Sequence, residues 1–199
     1  MILVSVGHHK DKQGATYENN GYVVTEYLLA NKWVDLVTQL LKGHAMRVPN
    51  GTLNNKVKFI NRACKSLKGE HIAVELHFNS FKKWKDLNGN GVVDAGEIIA
   101  LGQGSETLYY PSSKKGEQAA VKVQEALGSL MKPNRGAKQG WYQMNPDKGA
   151  DFFLEYTDCV SLIVEPEFID NIEIINNNMS AACHIIATEL LELHNNYNN

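Results

Sequence analysis

The chain has 199 residues, a length typical of one domain with a sizeable buried core. Its hydrophobic content of 43%, charged content of 21% and formal net charge of -2 are ordinary for a globular protein, and they lack the basic excess of a nucleic-acid-binding protein. Three scattered cysteines are too few for a disulfide framework or a zinc site of four thiolates.

The N-terminal segment does not have the features of a secretory signal. It begins Met-Ile-Leu-Val-Ser-Val-Gly-His, without the basic segment and the longer apolar run that such a signal needs. No segment approaches the roughly 20 apolar residues of a membrane span. We therefore expect a protein that is made in the cytosol, has no membrane span, and acts elsewhere only after release or export by a separate route.

Apolar runs and helical patterns alternate along the chain. The apolar runs predict strands at 2–6, 72–76, 107–110 and 160–164, with weaker ones at 46–48 and 141–143. Helical patterns cover 23–42, 53–67, 117–131 and 174–193, and the tail at 194–199 is typical of a frayed terminus. Because the runs are continuous rather than alternating, their sheet is expected to be covered on both faces. We predict one α/β domain over 1–199, with a mostly parallel or mixed twisted sheet flanked by helices.

Isolated polar residues stand where three of the predicted strands end. His8 follows the first strand, His77 follows the strand at 72–76, and Glu165 follows the strand at 160–164. In open α/β sheets, sites are built at the carboxyl ends of the strands. If these strands are parallel neighbours, the three side chains converge above one edge of the sheet.

Glu26 is a carboxylate on the apolar side of its predicted helix. It lies in line with Leu29 and Trp33 at the helical spacing. A carboxylate on a buried face is costly unless it is paired or bound to a metal. Its place in the first turn leaves an alternative, which is a favourable contact with the helix dipole. Glu18 competes with Glu26 as a ligand, but it lies in a turn-like stretch off the helical pattern.

Two histidines, one carboxylate and an open fourth position form the ligand set of a hydrolytic zinc site. Zinc lowers the pKa of a bound water to about 7, and a second carboxylate must carry the proton to the leaving amine. The sequence therefore predicts His8, Glu26 and His77 as zinc ligands and Glu165 as general base and acid. A structural role is expected for the other histidines, which are His9, His44, His71, His184 and His194.

Five motifs follow one another in the order found in a known enzyme family. They are Val6–His8 with Gly14–Ala15, Glu26 at a helix start, Asn61–Ala63 with Glu75–Ser80, Gly104–Glu106, and Leu162–Glu165 with Phe168–Asn171. On these residues the chain resembles, nearly end to end, the zinc-dependent N-acetylmuramoyl-L-alanine amidases of the Amidase_3 type, common in autolysins and phage endolysins. The resemblance implies hydrolysis of the amide between N-acetylmuramic acid and L-alanine in bacterial peptidoglycan, with the zinc and proton-transfer roles given above.

Three departures from the family pattern lie beside the predicted site. His9-Lys10 replaces the glycine that usually follows the first ligand, and Ser5-Val6 replaces Asp-Pro before it. Pro166-Glu167 stands where the family tends to have a small residue and glycine. We expect these changes to alter the shape of the substrate groove more than the metal chemistry.

Two alternative functions remain open from the sequence. A related zinc carboxypeptidase would need a cation for a terminal carboxylate, which Arg62 or Arg135 can provide. A non-catalytic calcium-binding wall module would have no need of the predicted zinc ligands and of Glu165.

A second metal site is predicted at 86–97, within an insertion at 81–103. The segment Asp-Leu-Asn-Gly-Asn-Gly-Val-Val-Asp-Ala-Gly-Glu fits the EF-hand calcium loop at every position. The expected ligands are Asp86, Asn88, Asn90, Asp94 and Glu97 through side chains and Val92 through its carbonyl. The alternative is an Asn-Gly-rich hairpin that mimics the motif. One helical turn is expected on each side, at 81–85 and 98–101, with the loop bracing the rim of the zinc cleft.

Overall fold

Ten strands and five α-helices are formed by residues 1–19, 21–91 and 94–199, the parts of the chain that this computed structural model describes. The strands are β1 (Ile2–Val6), β2 (Thr16–Asn19), β3 (Tyr22–Thr25), β4 (Ala45–Arg47), β5 (Ile72–Leu76), β6 (Lys82–Trp84), β7 (Ile98–Leu101), β8 (Ser105–Tyr109), β9 (Asn134–Gln139) and β10 (Val160–Glu165). The helices are α1 (Glu26–Leu40), α2 (Leu53–Ser66), α3 (Lys114–Leu130), α4 (Phe152–Tyr156) and α5 (Ile172–Asn198).

Six strands form a mixed central sheet in the order β4-β1-β5-β10-β8-β9. The first four are parallel to one another, whereas β8 runs antiparallel to β10 and parallel to β9. The predicted α/β class with a mixed sheet is confirmed. Because β1, β5 and β10 are parallel neighbours, the residues that follow their carboxyl ends reach the same edge of the sheet.

Helices cover both faces of the sheet, as the continuous apolar runs predicted. Helices α1, α3 and α5 pack on the face that carries Ile2 and Val4, and α2 and α4 pack on the face that carries Leu3. All five residues of β1 and of β5 are buried. Among the described residues, no helix combines the length and the apolar character needed to cross a membrane.

Two sequence predictions near the site were wrong in their local structure. The helix predicted over 23–42 begins only at Glu26, because the residues before it pair as β3 with β2 and the Thr25 hydroxyl caps the helix by accepting from the Leu28 N–H. The weak strand predicted at 141–143 is instead a 3-10 turn over Tyr142–Met144. One of the two edge strands of the sheet is β9, which was not predicted because its sequence Asn-Arg-Gly-Ala-Lys-Gln has no apolar run.

The C-terminal tail is helical rather than frayed, because tertiary contacts hold it. The Oδ1 atom of Asn198 accepts a hydrogen bond from the Glu70 N–H at 2.8 Å, and its Nδ2 donates to the Glu70 carbonyl at 3.1 Å. The ring of His194 lies 3.2 Å from the N-terminal amino group of Met1. The local composition of the tail gives no indication of these long-range partners.

The insertion at 81–103 is built on a β-hairpin, so the helical turns predicted at 81–85 and 98–101 were wrong. These two segments pair with each other as β6 and β7, which satisfies their backbone groups across the loop. A 3-10 turn over Ala95–Glu97 leads into β7.

The base of this hairpin is joined to the segment that follows β10. The Lys82 ammonium lies 2.9 Å from Asp170 Oδ1, and Asn171 Nδ2 donates to the Gly102 carbonyl at 2.9 Å. The insertion therefore stands beside the end of the strand that carries Glu165.

Candidate active site

His8, Glu26 and His77 bring their ligand atoms within 4.8 Å of one another. His8 follows β1, Glu26 opens α1, and His77 follows β5. The two carboxylate oxygens of Glu26 face one histidine each: Oε2 lies 2.9 Å from His8 Nε2, and Oε1 lies 2.9 Å from His77 Nδ1. His8 and His77 thus meet at one edge of the sheet, as their positions after β1 and β5 predicted, and Glu26 joins them from the start of α1.

Backbone amides orient the buried carboxylate of Glu26. The Phe78 N–H donates to Oε1 and the Ala15 N–H donates to Oε2, each at 3.1 Å. Burial opposes the ionisation of Glu26, but hydrogen bonds with His77 and His8 outweigh it and hold the pKa of Glu26 well below its usual range. The group is therefore a preoriented anion at neutral pH.

The backbone around His8 is shaped to make this approach possible. His8 itself has a φ of 60°, a left-handed conformation that is uncommon for a residue with a side chain and that clusters at functional sites. Gly14 has a φ of +73°, and a Cβ atom there would collide with Glu26 Oε2 and with the His8 ring. Glycine at this position lets the loop pass directly over the two side chains.

The donor set of these three residues fits zinc. Imidazole nitrogen and carboxylate oxygen are the ligands zinc takes in hydrolytic sites, and three protein ligands leave a position for water or substrate. Burial disfavours the charged form of His77, but the facing carboxylates of Glu26 and Glu75 raise the pKa of His77 well above its usual value. The negative charges of these two carboxylates thus favour positive charge at the position of His77.

Glu165 ends β10 and lines one cavity with the three residues of the cluster. This cavity measures about 330 Å³, and its wall includes the aromatic side chain of Trp141. The Oε2 atom of Glu165 is buried and has no hydrogen-bond partner among the described residues. Burial, reinforced by the nearby carboxylates of Glu106 and Glu26, raises the pKa of Glu165 to about 7. A carboxyl group with such a pKa can both accept and return a proton near neutral pH.

A second cavity, of about 680 Å³, continues the site on the side of His8. The two cavities share His8, His77 and Asp151, so that a groove passes across the cluster. Gln143 and Met144, which line the first cavity, have left-handed φ values of 51° and 54°. Such conformations cost free energy, and surrounding contacts must hold the loop in place.

The sequence profile of a known enzyme family matches residues 2–185, and its description is N-acetylmuramoyl-L-alanine amidase. The chain belongs to the N-acetylmuramoyl-L-alanine amidase family. The resemblance seen in the sequence motifs is thereby confirmed, and so is the prediction that the protein is an enzyme of this class. A search of curated proteins gave no match.

Solved structures share the fold of this amidase at low sequence identity. The catalytic domain of the CD27L endolysin, which targets Clostridia difficile, is 23% identical and has a TM-score of 0.60, with 100% of this chain and 98% of that chain covered. AmiC2 of Nostoc punctiforme is 18% identical, with a TM-score of 0.68 and 96% of each chain covered. Cwp6 from Clostridium difficile is 18% identical with a TM-score of 0.68 over 98% of this chain, which spans only 29% of the Cwp6 chain.

Two residues of the amidase site were not among the predicted ones. Glu75 Oε2 lies 3.0 Å from His77 Nε2, and Glu75 Oε1 accepts a hydrogen bond from Lys56 Nζ at 2.7 Å. Burial opposes the ionisation of Glu75, but contacts with His77 and Lys56 lower its pKa to about 2. The sequence did carry a signal for both: Glu75 interrupts the apolar run of β5, and Lys56 stands on the apolar side of α2, beside Val57 and one turn from Ile60.

Glu18 and most of the remaining histidines of the amidase lie outside this cluster. Glu18 is exposed on β2, where it pairs with Val23. His9 lines the larger cavity and lies 3.7 Å from Asp11. The other histidines contact the N-terminal amino group, backbone carbonyls or one another; they are His44, His71, His184 and His194.

The predicted calcium ligands hydrogen-bond within their own loop. The Asp86 carboxylate accepts from two backbone N–H groups of the loop, and Glu97 accepts from the Leu87 N–H at 2.8 Å and the Asp94 N–H at 3.2 Å. Asp94 Oδ2 accepts from the side-chain amides of Asn88 and Asn90, at 2.8 and 3.1 Å. In the described parts of the chain, these carboxylates do not converge as closely as the ligand atoms around Glu26 do. Val92 lies outside the described residues.

Proposed function

We propose that this amidase is zinc-dependent and cleaves the amide bond between N-acetylmuramic acid and L-alanine in bacterial peptidoglycan. One observation carries the proposal: the ligand atoms of His8, Glu26 and His77 converge in a cavity that they share with Glu165, whose Oε2 atom is buried. The family profile supports the reaction, and the donor set supports the metal. The proposed catalytic domain spans 1–199.

Zinc would be held by Nε2 of His8, the Glu26 carboxylate and Nδ1 of His77. When bound, the metal polarises the scissile carbonyl and makes water acidic enough to attack at neutral pH. The backbone amides of Ala15 and Phe78 keep the Glu26 carboxylate in its orientation.

Glu165 carries the proton between the two halves of the reaction. Its carboxylate takes a proton from the attacking water and gives it to the nitrogen of L-alanine as the C–N bond breaks. The products are a free lactyl carboxylate on the glycan and a stem peptide with a free amino group. A pKa of about 7 lets the same group act in both steps.

The two arginines considered for the carboxypeptidase alternative do not line the cavity that holds Glu165. Arg62 lines a separate cavity beside Pro49 and Phe59. Arg135 Nη1 lies 3.1 Å from Glu106 Oε1, and the Cζ atom of Arg135 lies 4.7 Å from the centroid of the Phe168 ring. Neither guanidinium lines the cavity that holds Glu165, so a terminal carboxylate would have no arginine partner there.

Removing the metal is expected to abolish hydrolysis of purified peptidoglycan. Treatment with a zinc-selective chelator should stop the release of stem peptides that begin with alanine, and added zinc should restore it. The products are identified by mass spectrometry, and addition of calcium instead of zinc to the stripped protein is the matched control, which should not restore release. Undiminished release in the metal-stripped protein would refute the zinc proposal, and released terminal amino acids would point to a carboxypeptidase instead.

We also propose that the loop at 86–97 binds calcium and stabilises the hairpin formed by β6 and β7. Support comes from the motif, which places Asp86, Asn88, Asn90, Asp94 and Glu97 at the side-chain ligand positions and Val92 at the carbonyl position. Glu97 is buried at 5% exposure, and a bidentate carboxylate at the last position is what the EF-hand loop requires. The ion would stand beside the zinc cleft, since Lys82 and Gly102 tie the hairpin to the segment after Glu165.

Calcium is expected to raise the melting temperature of metal-stripped protein by about 5 °C or more at saturating concentration. The stabilisation follows because the ion binds the folded loop and not the unfolded chain. Differential scanning calorimetry with and without calcium measures it, and Glu97→Gln should lose most of the shift. An unchanged melting temperature in the wild-type protein would leave the loop as an Asn-Gly-rich hairpin.

A further inference from the structure

A network of buried polar side chains lies beside His77 and has no part in the reaction described above, although two of its members, Lys56 and Glu75, line the larger cavity. Ser5, Lys56 and Glu75 are 0%, 2% and 2% exposed. The Glu75 Oε1 atom accepts hydrogen bonds from Ser5 Oγ at 2.9 Å and from Lys56 Nζ at 2.7 Å. The other oxygen of Glu75, Oε2, lies 3.0 Å from Nε2 of His77.

Lys56 connects this network to the strand that leads to His8. Its ammonium also donates to the carbonyl of Val6, two residues before His8. Burying an ion pair in this way is expensive, and apolar residues of similar size often stabilise a core as well or better. Packing alone therefore gives little reason for a charged pair here, directly behind a predicted zinc ligand.

The two nitrogens of His77 face two different carboxylates. Nδ1 lies 2.9 Å from Glu26 Oε1, on the side of the cluster, and Nε2 points away from it towards Glu75. A histidine that binds metal through one nitrogen usually donates the hydrogen of the other to an oxygen acceptor, which sets the tautomer and the ring orientation. Glu75 occupies that acceptor position.

The His77 ring is also confined from one side by Gly7. A Cβ atom at Gly7 would lie 2.7 Å from the Cγ, Nδ1 and Cε1 atoms of the ring, so the ring packs directly on the glycine backbone. With the ring in this plane, a rotation of 180° about the Cβ–Cγ bond of His77 would place ring carbon atoms, in place of Nδ1 and Nε2, against Glu26 and Glu75. The hydrogen bond to Glu75 therefore favours the ring orientation in which Nε2 faces Glu75 and Nδ1 faces Glu26 over the orientation rotated by 180°.

We propose that Glu75 is a positioning residue that keeps Nδ1 of His77 free and directed at the metal, with Lys56 and Ser5 holding the Glu75 carboxylate in place. This inference rests on the zinc site of the proposed function. It assigns Glu75 no contact with substrate or metal. Its expected signature is a change in metal affinity and in the protonation pattern of one histidine ring.

Glu75→Gln is the first test, because the size of the side chain is kept. A glutamine amide can donate to Nε2 of His77, which would move the ring hydrogen to Nδ1, the nitrogen needed for zinc. Zinc affinity, measured by competition with a chromophoric chelator, is expected to fall by about tenfold or more. Nitrogen-15 NMR of the zinc-loaded wild-type protein should show the His77 hydrogen on Nε2. Glu70→Gln, at an exposed carboxylate paired with Lys115, is the matched control and should leave affinity unchanged.

A double variant separates positioning from simple structural support. Glu75→Gln alone leaves the buried Lys56 without its partner charge and should lower the melting temperature. In Glu75→Gln/Lys56→Met both charges are gone, so the melting temperature should recover while zinc affinity stays low. Wild-type affinity in Glu75→Gln, or affinity that recovers together with stability in the double variant, would overturn the inference.

The failure of this inference is distinguishable from failure of the proposed function. A wild-type protein that binds zinc but releases no stem peptide from peptidoglycan would refute the amidase reaction and leave the affinity comparison intact. A wild-type protein without zinc affinity would refute the metal site and the role of Glu75 with it.

Discussion

Glu165→Gln is expected to lower the rate of peptidoglycan hydrolysis by about 10²–10⁴-fold while zinc remains bound. Glutamine keeps the size of the side chain but cannot take a proton from water at neutral pH. The ligand atoms of His8, Glu26 and His77 hold one another without Glu165, so their geometry does not depend on it. Release of alanine-terminated stem peptides measures the rate, and metal analysis of the purified variant measures the zinc content.

Glu155→Gln is a suitable control for this variant, because Glu155 is an exposed glutamate on α4. It should retain wild-type activity and wild-type zinc content. If Glu165→Gln kept most of the wild-type rate, the proton would have to move through another group, and the assignment of Glu165 as general base would be wrong. Loss of zinc together with activity would place Glu165 in the ligand set instead.

The pH dependence of hydrolysis should report the same carboxyl group. Burial raises the pKa of Glu165 to about 7, and the general base must be ionised to accept a proton. The value of kcat/KM is therefore expected to fall on the acid side of the pKa of Glu165, where the carboxylate is protonated; the charge of bound zinc lowers this pKa from its metal-free value. A profile of kcat/KM against pH, with soluble muropeptides as substrate, measures this decrease. A profile that stays flat on the acid side would contradict the role of Glu165.

The same raised pKa has a consequence for stability in the metal-free protein. The folded state binds the Glu165 proton more tightly than the unfolded state, in which the pKa is near 4.5, so the contribution of this group to stability decreases as the pH rises from about 4.5 through 7. Above pH 7, metal-free Glu165→Gln should be more stable than wild type by an amount on the order of 2 kcal/mol. Urea unfolding of both proteins at pH 5 and pH 8 tests this prediction. The difference between their free energies of unfolding should be smaller at pH 5 than at pH 8.

Much of the candidate site could be predicted because its signals are local. His8, His77 and Glu165 each stand directly after an apolar run, and a run of that kind predicts a buried strand. Glu26 could be predicted because a carboxylate on the apolar face of a helix is costly to bury unless it is paired or bound to a metal. The EF-hand spacing was equally visible, and calcium binding there remains a prediction.

Other features had no local signal, since distant partners create them. The asparagine-rich tail is helical because Asn198 bonds to the backbone of Glu70, 128 residues away in sequence. Strand β9 forms without an apolar run because β8 supplies its hydrogen-bond partners. The segments around the calcium-type loop became strands because they pair with each other.

The sequence by itself determined the α/β class, the family and the identity of the residues that end strands β1, β5 and β10, because hydrophobic periodicity and motif order are properties of the chain. Tertiary structure alone decided that these strand ends are neighbours, that the two oxygens of Glu26 face one histidine each, and that Glu75 and Lys56 stand behind His77. The physical reason is that hydrogen bonds and ion pairs in the interior depend on which elements pack together, and that packing joins residues that are far apart in sequence.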